Sequence, residues 1–520
     1  MAVQQRSTVR DGRGNKLETY VLTHFKPVWT IIQLIPPVRK RVNKILINRV
    51  IYKIPTRPYP LSTMAAYTSW DSLTDRTFTG RHLPPATEQA NELPAIDAVI
   101  QLFERQSQTV RVSPKSTLLF SHFAQWFTDG FLRTDRENYL KNTSNHEIDL
   151  CQVYGLTRAH THLLRTHRRG MLKSQVVHGE EYPCYYFGPD GTASTEFAGL
   201  PIVVPPDVDP AKKATLFAMG VERANVQTGY VMMNTLFLRE HNRICGELAH
   251  AHPDWDDERL FQTARNIAMV LLIKIVVNEY INHIAPYHFK FRFDATSFVK
   301  ERWYRQNWMS LEFSLVYRWH GLVPDRFRLG GQDLPAEETM FNNAIVTERG
   351  LGGLFEDASA QPAGEIGLFN TPHFLLDTER ASIELSRLTH LRSYNEYRRL
   401  CNYPRVTAFD QITGNRDVQI ALEQTYGHVD NIEFYVGLMA EDLRPGSAVA
   451  PLIGRLVGID AFSQALTNPL LSEHVFNERT FSSTGLKIIK RTTSLSDILH
   501  RNLPDSKRKY RVSMTRSDSA

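Results

Sequence analysis

The stretch Glu312-Phe313-Ser314-Leu315-Val316-Tyr317-Arg318-Trp319-His320-Gly321-Leu322-Val323-Pro324-Asp325 decides how this chain is read. Tyr317 and His320 are three residues apart, so on a helix they occupy adjacent parts of one face. Gly321 and Pro324 follow and predict a helix end, which leaves His320 at an accessible terminus. A neutral imidazole in that position suits an iron centre such as haem, and a tyrosine beside it can be oxidised to a radical. Taken alone, the spacing also fits a structural histidine hydrogen-bonded near a helix end, which is the commoner case.

Upstream, Phe123-Ala124-Gln125-Trp126-Phe127-Thr128-Asp129 places Gln125 and Asp129 four residues apart. On a helix both project from one face, where they would present an amide and a carboxylate to a shared site. An ordinary amphipathic helix passing from surface to core gives the same pattern. Working outward, helical periodicity extends over roughly 114–133, 211–250, 257–285, 298–318 and 381–400. Loops rich in Pro, Gly and Asp separate these stretches, and 325–335 reads as a small hairpin. The chain is predicted to be mainly α.

A hydrophobic content of 42% with 22% charged residues belongs to a folded protein. The four cysteines (Cys151, Cys184, Cys245, Cys401) form no CxxC pair, which argues against a disulfide framework or a zinc site. The net charge of +6 is unevenly placed. Residues 1–60 hold twelve Lys/Arg against Asp11 and Glu18, a local +10, and the remainder sums to −4. Among those cations lie Val21, Leu22, Phe25, Val28, Trp29 and Ile31, then, after Pro36-Pro37, Val38, Val42, Ile45 and Leu46. Basic amphipathic helices of this kind suit an anionic membrane surface better than nucleic acid. The alternative is a pair of helices packed on the catalytic body with a solvated basic face. The front end lacks the apolar core and cleavage site of a secretory signal. A cytoplasmic protein with peripheral, monotopic membrane association is therefore expected. Three units follow: a basic amphipathic segment at 1–60, a catalytic domain at 61–503, and a polar, disordered tail at 504–520.

The two chemistry-bearing segments together resemble the cyclooxygenases (prostaglandin endoperoxide synthases) of the haem peroxidase–cyclooxygenase superfamily. In that family a Tyr-x-Trp-His-x-Leu-x-Pro-Asp segment holds the radical tyrosine and the proximal histidine. Ordered matches continue through Leu238-Arg239-Glu240-His241-Asn242-Arg243, Tyr287-His288-Phe289-Lys290, Phe341-Asn342-Asn343 and Tyr394-Asn395-Glu396-Tyr397-Arg398. The resemblance implies an animal-type haem peroxidase fold, with a short N-terminal amphipathic membrane-binding segment and haem b as cofactor. It implies His320 as axial ligand of the iron and Tyr317 as the radical residue.

The distal glutamine of the family falls on Gln125, but Asp129 stands where the family has its distal histidine. That histidine moves a proton within bound peroxide, which a carboxylate does only with a tuned pKa. The resemblance therefore implies weakened peroxidase turnover. Tyr287 falls on the tyrosine that narrows the substrate channel, Tyr280 on the tyrosine beside the radical site, and Ser463 on the channel serine. Tyr435 falls on a tyrosine that supports the proximal histidine by hydrogen bonding. Arg49 falls on the arginine that pairs with the fatty-acid carboxylate, with Lys53 and Arg57 as neighbouring alternatives. No carboxylate stands at the expected partner position near Arg455. The implied partners are a polyunsaturated fatty acid, dioxygen, a peroxide activator and a second copy of the chain in a homodimer, with no nucleic acid. A haem peroxidase of small reductants and a catalytically reduced haem- or lipid-binding relative are the alternatives.

Overall fold

The computed structural model describes residues 13–54, 60–86, 93–106, 110–504 and 508–517, the side chains of 13–15 excepted. Arg57 lies outside the described residues. The core is built around two helices, Thr228–Ala251 and Asp257–Ile275, which pack on each other. Each start is satisfied by a side chain. Gln227 accepts from the Gly229 N–H, and Asp256 from the Arg259 N–H, with Asp257 and Glu258 in the following turn. The second helix continues through a π turn, Val276–Tyr280, into Ile281–Ile284. Among the described residues this 257–284 run alone is long and apolar enough to cross a membrane, yet 78% of its apolar window is buried inside the protein. It is the central core helix.

Against Thr228–Ala251 lies the helix Leu118–Asp129. Every one of its residues is buried except Gln125 and Asp129. Helix Pro451–Leu466 is buried over most of its length and touches both Pro36–Ile51 and Leu311–Val316. Among the described residues, sheet is limited to three antiparallel pairs: Val112–Thr117 with Pro362–Gly364, Gln175–Val177 with Glu180–Tyr182, and Arg326–Leu329 with Gln332–Pro335.

The mainly α architecture and the 325–335 hairpin agree with the sequence reading, and several local readings do not, among them the helix expected from 211, which stops at Lys213 and resumes only at Thr228. Residues 112–117 form a strand instead of opening a helix, because their backbone pairs with Pro362–Gly364. Residues 298–310 form no helix. Their apolar spacing serves tertiary contacts, such as Trp303 donating its indole N–H to Asn48 at 2.7 Å. Residues 508–517 are not frayed. Thr117 donates its N–H to the Met514 carbonyl at 2.9 Å, and His283 Nδ1 lies 2.9 Å from the Thr515 hydroxyl.

The N-terminal segment folds as helices Arg13–Thr23, Lys26–Leu34 and Pro36–Ile51. Leu22, Ile47 and Ile51 are buried against the body, whereas Leu17, Phe25, Val28, Ile31 and Leu34 are 50–75% exposed.

Candidate functional site

Gln125 and Asp129, the two unburied residues of the Leu118–Asp129 helix, open onto a cavity of ≈ 410 Å³, within the size range of small-molecule and cofactor sites. Tyr317, Arg318 and His320 line the same cavity. They are not brought there by a shared helix. Leu311–Val316 ends before Tyr317, and His320 opens a separate 3-10 turn, His320–Leu322. Short-range bonds, Arg318 N–H to Leu315 O at 3.1 Å and Trp319 N–H to Tyr317 O at 3.1 Å, tighten the chain between them. Gly321 is needed just beyond, since a Cβ there would sit 2.8 Å from the Glu365 carbonyl oxygen.

His320 Nδ1 lies 3.0 Å from Glu379 Oε1, which leaves Nε2 for the cavity. Glu379 is 1% exposed and accepts from Tyr435 OH at 2.5 Å and Thr371 Oγ1 at 2.8 Å. Tyr435 thus reaches His320 only through Glu379, not directly as the sequence reading had it. Arg318 lines the cavity with its Nε buried and without a hydrogen-bond partner, and makes no ion pair among the described residues. Imidazole and guanidinium fit a haem, one suited to iron and one to a carboxylate at the porphyrin edge.

Tyr317 is wedged between Phe313 and Trp319, ring centroids 4.9 and 4.7 Å away. Tyr280, presented by the π turn, is fully buried among Phe120, Phe123 and Phe127. Burial pushes both phenols well above the ordinary tyrosine range. The two hydroxyls are near enough for a hydrogen-bonding interaction with each other, and neither has any other partner among the described residues.

On the Gln125 side, Gln227 donates to Gln125 Oε1 at 2.8 Å, so one helix cap also fixes the distal amide. Asp129 has three partners: it accepts from Tyr230 OH at 2.8 Å and Arg133 at 3.3 Å, and pairs with Arg223. A neighbouring residue escaped the sequence reading. His122, one turn before Gln125, lines the cavity, and burial lowers its pKa to about 4. No hydrogen bond ties its ring among the described residues. Gly229 makes room for it, as a Cβ there would come within 2.1 Å of the His122 ring.

The remaining expected residues lie elsewhere. Arg49 is on the outside, its side chain 58% exposed and its Nε 3.3 Å from Glu18. Glu18 also takes Lys53 at 2.7 Å. The carboxylate missing near Arg455 is therefore supplied by the first helix. Arg455 itself is the inward cation: its Nη1 is buried without a partner, its other terminal nitrogen is 3.5 Å from Tyr403 OH, and its charge acts on Tyr287 and Lys53. Ser463 is fully buried, and its hydroxyl closes onto the Ile459 and Asp460 carbonyls of its own helix instead of a cavity.

A family model described as animal haem peroxidase matches residues 92–514. Prostaglandin G/H synthase 2 of Equus caballus is 32% identical over 497 residues, covering 93% of this chain and 80% of that protein. Two solved structures share the fold. The fatty acid alpha-dioxygenase of Oryza sativa has a TM-score of 0.70 at 15% identity, covering 98% of this chain and 100% of its own. Peroxidase A of Dictyostelium discoideum has a TM-score of 0.67 at 19% identity, covering 89% and 97%. The family match spans most of the chain and its residues supply a haem donor set, so this protein belongs to the animal haem peroxidase family and is a haem-dependent oxidoreductase.

Proposed function

We propose that the protein is a fatty-acid dioxygenase in which Tyr317 removes a hydrogen atom from the substrate. The observation that carries this reading is the Tyr317 hydroxyl, buried beside the Tyr280 hydroxyl at the cavity that His320 lines. His320 Nε2 and Arg318 would hold a haem, which would supply the oxidising power needed to convert this phenol into a phenoxyl radical. Burial disfavours the phenolate, so Tyr317 gives up and regains its proton and electron together, as a hydrogen atom. The radical takes a hydrogen from a weak C–H bond, bis-allylic in a polyunsaturated chain, and leaves a carbon radical. Dioxygen adds to that carbon, and the peroxyl radical takes the hydrogen back from Tyr317. A hydroperoxide forms, the tyrosyl radical is restored, and the sum is RH + O2 → ROOH. Tyr280 keeps water and other donors from the phenol.

A carboxylate-bearing substrate fits the cation cluster beside Tyr287. Arg49 and Lys53 already share Glu18, which leaves the buried Arg455 to receive the substrate's carboxylate. The exposed row Leu17, Phe25, Val28, Ile31 and Leu34 suits insertion into one membrane leaflet, where such substrates reside. Kinship with a prostaglandin G/H synthase and fold likeness to a fatty acid alpha-dioxygenase support the substrate class.

Oxygen uptake by the haem-loaded protein tests the reading. Consumption is expected with arachidonic or linoleic acid, and its loss is expected in Tyr317→Phe with haem binding retained. A Tyr317→Phe protein as fast as wild type overturns it.

A second reading, a haem peroxidase of small reductants, is favoured by His122. This neutral, unbonded imidazole faces the cavity, whereas Asp129 is tied by three donors.

A further inference from the structure

The helix Leu376–Leu388 carries three carboxylates, and only Glu379 points inward, at 1% exposure. A buried carboxylate is costly unless donors surround it. Glu379 has two neutral donors, Tyr435 OH on Oε2 and Thr371 Oγ1 on Oε1, and no Lys or Arg ion pair among the described residues. A glutamine would meet those two hydroxyls with its carbonyl and its NH2 without the cost of burying charge. The charge is useful only to a partner that gains from it, and the third neighbour is His320 Nδ1, 3.0 Å from Oε1. That contact is short but not aligned as a hydrogen bond, and Nδ1 has no other partner among the described residues.

We propose that Glu379 is the positioning residue of the iron ligand. It accepts the Nδ1–H of His320, fixes the tautomer that leaves Nε2 bare, and draws negative charge onto the imidazole. Outer carboxylates of this kind orient a ligating histidine and raise its basicity. The ligand then binds iron more strongly and favours the ferric state. Tyr435 and Thr371 hold the carboxylate, and the Tyr435 hydroxyl also lies 3.2 Å from the Arg318 carbonyl oxygen, which ties Glu379 to the turn that carries His320. The inference rests on His320 as the haem ligand, and it is independent of the reaction assigned to Tyr317.

The test uses the full-length, haem-loaded protein and its Glu379→Gln, Glu379→Asp and Thr371→Val variants. Three quantities are read: the iron–histidine stretching band of the ferrous form, the ferric/ferrous midpoint potential, and haem affinity. In Glu379→Gln the band is expected to move to lower frequency, the potential to rise, and haem affinity to fall by about 10- to 100-fold. Glu379→Asp is expected to recover part of each shift. Thr371→Val removes the competing donor on Oε1 and is expected to move band and potential in the opposite direction, which keeps the test open if Glu379→Gln misfolds. Glu379→Gln with wild-type band, potential and affinity overturns the proposal, as does an unmoved Thr371→Val. A wild-type protein without an iron–histidine band overturns the ligand assignment and this proposal together, whereas failure of oxygen uptake alone leaves the spectroscopic outcome intact.

Discussion

Asp129 was legible in the sequence as a departure, but its consequence depends on neighbours from three other segments. Tyr230, Arg133 and Arg223 all bind the carboxylate, so it is committed to holding Arg223 in place rather than to moving a peroxide proton. Proton transfer then falls to His122. Guaiacol oxidation is expected to fall by about 10²-fold or more in His122→Ala, while Asp129→Asn changes it by less than a few-fold. The opposite ranking in a peroxidase assay returns the role to Asp129. Arg49 and Arg455 illustrate a different limit. Both are arginines in apolar stretches, and only packing reveals that one is exposed and paired while the other is inward with an unbonded nitrogen. Arg455→Leu is expected to raise KM for a fatty acid by about tenfold or more, since a charge-assisted hydrogen bond is worth roughly 1.5–3 kcal/mol. Arg49→Leu is expected to change KM little, and equal effects in steady-state kinetics would remove the distinction. Glu379 carried no local signal, because a glutamate in an amphipathic helix reads as solvent-facing.

Long helices were legible because their apolar period exceeds any local competition, as in Thr228–Ala251 and Asp257–Ile275. The π turn at Val276–Tyr280 was not, since it adds one residue to a turn without altering composition. The segment that decides the fold was misread in its geometry: Tyr317 and His320 share a cavity through a tight turn, not through a helical face. Gly229, in the first turn of the Thr228–Ala251 helix, is fixed by His122. Gly229→Ala is expected to destabilise the protein by about 1–3 kcal/mol, the usual cost of overpacking. The same substitution in a His122→Ala background is expected to cost less, as read by denaturant unfolding. The N-terminal helices make a separate prediction. Replacing Phe25, Val28, Ile31 and Leu34 with serine is expected to reduce co-sedimentation with anionic vesicles and leave haem binding unchanged. Retained vesicle binding in that variant would assign the exposed apolar face to another partner.

Acid is expected to unfold the molecule through histidines spread across its core. Burial lowers His122, His146 and His241 each to about 4, below the 6.5 of an exposed imidazole. The unfolded chain binds more protons than the native one between these values. Stability is therefore full above pH 6.5 and is lost as pH falls toward 4, by about 3 kcal/mol per histidine at full protonation. Thermal unfolding midpoints at pH 7, 6, 5 and 4 check this, and a flat profile would mean that the three rings stay solvated. The molecule also shows where the two kinds of information divide. The sequence by itself determined the helical class, the family, and the residue pairs Tyr317–His320 and Gln125–Asp129, because each depends on residue type and short spacing. Only the tertiary structure decided that Glu379 stands behind His320, that Glu18 partners Arg49 while Arg455 faces inward, and that three donors tie Asp129. Those outcomes join residues tens to hundreds of positions apart. What makes each carboxylate or cation functional is burial and the count of donors around it, which exist only once the chain has closed on itself.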